Sequence, residues 1–408
     1  MRYRDGARRA GTALACLLAL AAAAVVAGDA PTAEKRPLPV LEEPDRARMQ
    51  AWLDRHALAP VDYVVAKFAD HDIVFLGEYH RIRHDAVLVQ TLIPHLYRAG
   101  VYNLGLEFLG ARDQAALDGL LAADAYDEAL AGRLFWNQWP FWGYQEYVDI
   151  LRAAWTFNHG LPRDARRFRV VGLNARTDFS HVWTPEDRAN PEIMAKALPD
   201  GDVDEVMAET VRREILAKRQ KALIYSGSNH AYTRFRQPVP NAATGGIDEL
   251  VSTRLGNRIF ADIGKRCWTI FLHSPWPAAE GYSKPEVYPA DGVIDAFFAA
   301  VAPAKRRVGF DVKGSPFAGL EAKSSLWGRA PRFRLEKYAD GWIYQMPLSE
   351  YRGVSGVPGW FNEANRMQAI EQIANPDPLI KRRDRTVEEL TTAMLSDTDF
   401  ARRFARFH

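Results

Sequence analysis

Short apolar, β-prone runs alternate along the chain with longer stretches whose apolar residues recur at helical spacing. The runs at residues 73–76, 102–106, 168–173, 222–225 and 268–272 read as strands. After the first of them Leu88, Leu92 and Leu96 recur every four residues before Gly100, which predicts a helix ended by that glycine and kinked at Pro94. Strands that alternate with helices in this way predict an α/β fold, a central, mostly parallel sheet flanked by helices. Further on, VGFDVKGSPF and DGWIYQMPLSEY each read as a strand entering a turn, and VEELTTAMLSDTDFARRFARF as a closing amphipathic helix. The expected organisation is a leader over residues 1–27, a linker and helix over 28–59, a core domain over 60–275, and a C-terminal extension over 276–408 that completes or covers the core. Alternatively that extension forms a small separate domain, which the Pro- and Gly-rich HSPWPAAEGYSKPEVYPADG would then link.

What the strands run into carries the chemistry. The first ends in Gly77-Glu78-Tyr79-His80, the second in Glu107, the third in Asn174, the fourth in Ser226-Gly227-Ser228-Asn229-His230 and the fifth in His273. In open α/β sheets ligands bind beyond the carboxyl ends of the strands. Five such ends here present a group able to ligate or to move a proton. Glu78 and Glu107 are expected to leave neighbouring strands, where a carboxylate pair in a water-poor cleft suits acid/base work. The units GEYH and GSNH give each imidazole a turn shaped by Gly77 or Gly227, and Asn174 is placed to orient an imidazole or a substrate group. His84 follows His80 by four residues and reads as an N-terminal-turn or surface histidine.

Composition narrows the class. The chain has 408 residues and 48% hydrophobic content, enough for a sizeable core. MRYRDGARRA followed by GTALACLLALAAAAVVA reads as a secretory signal cleaved near Ala27, so the protein is expected to be exported, periplasmic or secreted. Cys16 precedes most of that apolar run, which argues against a lipid anchor there. No second run is long enough for a membrane span in the mature chain. Losing four arginines and one aspartate with the leader takes the formal charge from +2 to −1. No basic footprint for nucleic acid remains. Only Cys267 survives processing, so no disulfide is expected within the mature chain.

The paired glycine-x-x-histidine units, with a glutamate on the second strand, resemble the superfamily that joins TIKI and TraB proteins, erythromycin esterases and ChaN-like haem-uptake proteins. FLGEYH, LGLEF, FWNQWPFWGYQEYVDIL, VVGLNAR and IYSGSNHAY follow the order of the ChaN-like branch over about residues 60 to 275. Arg81 departs from it, because that branch commonly carries an acidic residue after the first histidine. The resemblance implies a site lined by Glu78, His80, Glu107 and His230, with turns shaped by Gly77 and Gly227.

Two functions are compatible with such a site. The first is a hydrolase acting on a small molecule or a peptide. It would use either a divalent metal held by His80, His230 and Glu107, or metal-free general-base chemistry with an oxyanion supported by the amides near Ser228 and Asn229. The second is a carrier of haem or another iron compound. Seven of the thirteen residues from Phe135 to Tyr147 are aromatic, Trp142 and Tyr144 among them, and aromatic walls with a His or Tyr ligand suit haem. The four convergent acid/base residues favour hydrolysis.

Overall fold

The computed structural model describes residues 35–241, 244 and 246–407; the expected leader, Cys16 included, lies outside them. Seven strands form one sheet in the order β3-β2-β4-β1-β7-β9-β8. They are β1 (Ile73–Glu78), β2 (Asn103–Gly110), β3 (Arg169–Asn174), β4 (Ala222–Gly227), β7 (Cys267–Leu272), β8 (Val308–Asp311) and β9 (Gly341–Tyr344). All pairings are parallel except β8 with β9. A separate hairpin pairs β5 (Gln237–Pro240) with β6 (Ile247–Val251).

Parallel strands covered on both faces bury every side chain, and β1, β2 and β4 are buried at each position. Alternation then sends successive residues to opposite cores. Val74 and Leu76 join the core under the helices Arg83–Arg98 and Gln145–His159, while Ile73 and Phe75 join the core under the helices Val203–Val211, Leu255–Ile263 and Val293–Ala300. Among the described residues no helix is long and apolar enough to cross a membrane.

Three expectations are corrected, and the helix stop at Gly100 is as expected. Glu107 does not follow a strand that stops at 106; it lies inside β2, which runs on to Gly110 across a shift in register. β1 and β2 are not neighbours, because β4 inserts between them and pairs with both. Glu78 and Glu107 therefore leave strands about 10 Å apart, two inter-strand spacings. Pro94 sits within one continuous helix, Arg83–Arg98, and Gly100 beyond it takes the left-handed φ of 78° that such a stop requires. The closing segment is two helices, Val387–Ser396 and Phe400–Arg403.

Residues beyond 276 add β8 and β9 to the sheet edge and then meet the turn after β1, where the Val354 N–H donates to the Arg81 carbonyl and Asp397 pairs with the Arg81 guanidinium. Another fastening is a buried ammonium. Lys381 Nζ donates to the carbonyls of Phe179 (2.7 Å), Val182 (2.6 Å), Glu371 (2.7 Å) and Ile373 (3.0 Å), joining the loop after β3 to the C-terminal segment.

Candidate functional site

Two hydrogen-bonded units meet over the carboxyl end of β4. The first is built on β1. Glu78, its last residue, is fully enclosed, and its carboxylate accepts from the Tyr147 hydroxyl at 2.6 and 2.8 Å and from the Tyr225 hydroxyl. His80 Nδ1 lies 2.8 Å from Glu78 Oε1. A carboxylate only accepts, so the Nδ1 proton is donated to it; in the neutral ring Nε2 then carries the lone pair. Trp142 and Phe108 meet the His80 ring edge to face at 5.1 and 5.7 Å and stack on each other at 4.8 Å. Trp142 is the one member of the aromatic stretch that walls His80, with Tyr147 behind it. Tyr144 turns away, its hydroxyl donating to the Met394 carbonyl at 2.9 Å and accepting from Arg81 Nε at 2.8 Å.

The residue after His80 is strained into place. Arg81 has φ 73°, a left-handed conformation that costs a non-glycine residue about 1–3 kcal/mol. Its surroundings over-determine it: the N–H donates to Tyr147 Oη at 2.9 Å, the carbonyl accepts from the Val354 N–H at 2.9 Å, the guanidinium lies 5.0 Å over Trp142, and Asp397 pairs with it at 3.5 Å. This packing orients the His80 turn.

The second unit lies toward the other face of the sheet. Glu107 Oε2 accepts the Gly227 N–H at 2.6 Å, and Oε1 lies 3.3 Å from His230 Nε2. His230 Nδ1 lies 2.6 Å from Asp204 Oδ1. Asp204 also accepts from the Leu255 N–H at 2.8 Å and from Arg254 Nη1 at 3.2 Å. Burial alone would favour a neutral His230 ring, but the flanking Asp204 and Glu107 carboxylates outweigh it and hold the imidazole protonated well above its ordinary range. Burial likewise works against the Glu107 anion, yet the His230 cation brings its pKa down to about 2, and Asp204 is lowered by the same partner.

Gly227 is the saddle between the units. A Cβ there would sit 2.7 Å from the His80 ring and 3.5 Å from Glu107 Oε2, so only glycine lets the two sides approach. Gly77 serves a packing role, since a Cβ there would meet Phe271 at 2.6 Å. The His80 and His230 side chains keep 15% and 12% of their surface exposed, so both open to solvent while their carboxylate partners do not.

The proposed metal set does not fit. Among the described residues no group of three or more His, Cys, Asp or Glu side chains is arranged to hold a metal ion. The reason is local: both His230 nitrogens are engaged by carboxylates in a protonated ring, and both Glu107 oxygens already have partners. Two amides of the turn expected to support an oxyanion are committed, Ser228 N–H to the Glu78 carbonyl at 2.9 Å and Gly227 N–H to Glu107. Asn229 Oδ1 accepts from the Tyr232 hydroxyl at 3.2 Å, and Asn174 Nδ2 donates to the Glu107 carbonyl at 2.8 Å, which fixes backbone instead of an imidazole. His273 pairs with buried Asp295 at 2.9 Å, and His84 packs on Tyr351 in the first turn of its helix. Sequence reasoning missed Asp204, Arg254 and Tyr225. The only cue was a tyrosine in an otherwise apolar strand.

The sheet order, with helices on both faces and a Glu/His site at the carboxyl ends of β1, β2 and β4, defines an α/β protein of the kind the sequence motifs suggested. Residues 64–182 match the family model described as haem-binding uptake, Tiki superfamily, ChaN, so this segment carries the ChaN-like pattern. No curated protein matches the chain. Among solved structures, a Bacillus cereus protein covers 75% of this chain and 98% of its own at 12% identity and a TM-score of 0.44. An erythromycin esterase in its open conformation covers 74% and 95% at 13% identity and 0.44. ChaN of Campylobacter jejuni, with haem bound cofacially, covers 52% and 84% at 13% identity and 0.33. These are partial overlaps; the fold class rests on the sheet itself.

Proposed function

We propose that this protein is a metal-independent hydrolase in which His80 is the general base. The observation that carries the reading is the 2.8 Å contact of His80 Nδ1 with Glu78, itself held by two tyrosine hydroxyls, while Nε2, on the Gly227 side of the ring, has no hydrogen-bond partner among the described residues. In the reaction Nε2 takes a proton from water as the water oxygen bonds to the substrate carbonyl. Glu78 steadies the imidazolium that forms. The same proton then passes to the leaving group as its bond to carbon breaks. A panel of p-nitrophenyl esters tests this. His80→Ala is expected to lower kcat by about 10²–10⁴-fold, and a wild-type rate no higher than that of His80→Ala would sink the proposal.

A second reading, haem carriage, is favoured by the ChaN-like match of residues 64–182. His80 Nε2 would be its axial ligand, and a carboxylate on the other ring nitrogen is the usual support for such a ligand. The ring, however, is only 15% exposed and its Nε2 faces Gly227, so a haem plane has a seat there only if the Trp142 wall moves aside. Hemin titration separates the readings, because a stoichiometric Soret band lost in His80→Ala would displace the hydrolase.

A further inference from the structure

Behind Glu78 lies a buried polar cluster that the proposed reaction does not use. The helix Arg83–Arg98 opens with His84 and Asp85, and Asp85 is 1% exposed. Its Oδ1 accepts from Gln345 Nε2 at 2.9 Å, while Oδ2 has no partner. His84 Nε2, 3.5 Å from Asp85 Oδ1, has no hydrogen-bond partner either. Among the described residues no lysine or arginine pairs with Asp85. The ionisable groups that bear on it are Glu78 from β1, Tyr225 from β4, Tyr351 from the segment after β9, and His84 on its own helix. Arg307 donates to Gln345 at 3.3 Å, and together with His273 it adds to burial in disfavouring a charged His84.

An ionised Asp85 in this setting would have one hydrogen bond and a carboxylate for a neighbour. Three donors already converge on the Glu78 carboxylate, whereas Asp85 accepts from one. The N-terminus of a helix favours an anion modestly, but full burial without a cation opposes it more strongly. A neutral acid, by contrast, has a hydrogen to offer His84 Nε2, which lies 3.5 Å from Oδ1, and the orphaned imidazole nitrogen gains a partner.

We propose that Asp85 is carried as a neutral carboxylic acid donating to neutral His84, and that this leaves Glu78 the sole negative charge behind His80, making Asp85 a positioning residue for the Glu78–His80 unit. Burial supports both halves of the pair. It pushes His84 down to about 3 and, with Glu78, pushes Asp85 well above the usual carboxylate range. The positioning role rests on the reading of His80 as a base; the protonation state of Asp85 does not.

Infrared difference spectroscopy between wild type and Asp85→Asn at about pH 7 tests it. A protonated carboxyl carbonyl band present in wild type should vanish in the variant, and identical spectra in that region would overturn the proposal. The variant is needed for the assignment because buried Asp340 is also pushed up. Urea unfolding gives a second readout. A raised carboxyl loses stability as pH rises above its unfolded value, so Asp85→Asn should gain on wild type by up to tenfold in the folding equilibrium per pH unit from about 4 to 7. A flat or falling difference would overturn it. Should Asp85→Asn fail to fold, His84→Phe must shift the same band by removing its acceptor, and an unmoved band refutes the pairing. None of these readouts needs turnover: a band without ester hydrolysis would sink only the hydrolase, and hydrolysis without the band only this proposal.

Discussion

Replacing Asp204 by asparagine tests the second unit of the site at its root. The carboxylate is 7% exposed and meets His230 Nδ1 at 2.6 Å, the Leu255 amide at 2.8 Å and Arg254 Nη1 at 3.2 Å. Asp204→Asn keeps the shape but leaves two buried cations short of their counter-charge. Breaking one side of a buried pair costs about 3–5 kcal/mol, which for a chain of this length lowers Tm by on the order of 5–10 °C. The pH dependence gives the sign. Asp204 and Glu107 are lowered in the folded state, so their contribution is complete above the unfolded carboxyl value of about 4 and is lost as pH falls. His230 is raised, so its contribution is complete below about 6.5 and is lost as pH climbs through the raised value. The cost of Asp204→Asn should therefore be flat between about pH 4.5 and 6.5, and should shrink by about 1.4 kcal/mol for each unit below 4. Urea unfolding from about pH 3 to 7 reads this directly. A cost under about 1 kcal/mol near pH 6, or one that does not change toward pH 3, would refute the assignment of charges.

Other perturbations report on other parts of the site. Gly227→Ala puts a Cβ 2.7 Å from the His80 ring, and should cut ester turnover at least about tenfold while costing about 1–3 kcal/mol of stability by overpacking; unchanged turnover would show that His80 has another working position. Tyr147→Phe removes a donor to Glu78 and the acceptor of the Arg81 amide, with an expected cost of about 1–3 kcal/mol in denaturant unfolding. Lys381→Met strips the shared donor from four carbonyls, and limited proteolysis should then cut the segment around residues 366–390 faster than in wild type. Equal cleavage rates would mean that the ammonium is dispensable.

The fold class was legible because β1, β2 and β4 are short continuous apolar runs, each followed by a turn. Glu78, His80, Gly227 and His230 were legible for the same reason, since a strand end and its turn are local in sequence. Sheet order was not legible. β4 enters between β1 and β2 from more than a hundred residues away, and nothing in either strand records that pairing. Asp204 reads in the sequence as one more acid in the first turn of a helix, next to the N-cap Asp202, and only tertiary packing turns it toward His230. Tyr144 was misread in the opposite direction. Its aromatic neighbourhood suggested a ligand wall, but its hydroxyl fastens Arg81 to the C-terminal segment.

That fastening sets a timetable. Tyr79 is held by Glu286 at 2.6 Å and by Arg403, a partner 324 residues later in the chain, and its ring packs on Phe400 and Phe404. At about 5–20 residues per second of synthesis, tens of seconds separate the making of the His80 turn from the arrival of the residues that clamp it. The central strands can pair in that interval while the strained turn at Arg81 has Tyr147 and Trp142 beside it but neither Val354 nor Asp397. The site is thus among the last parts of the molecule to be completed, and a nascent chain that has already buried its sheet is not yet able to act.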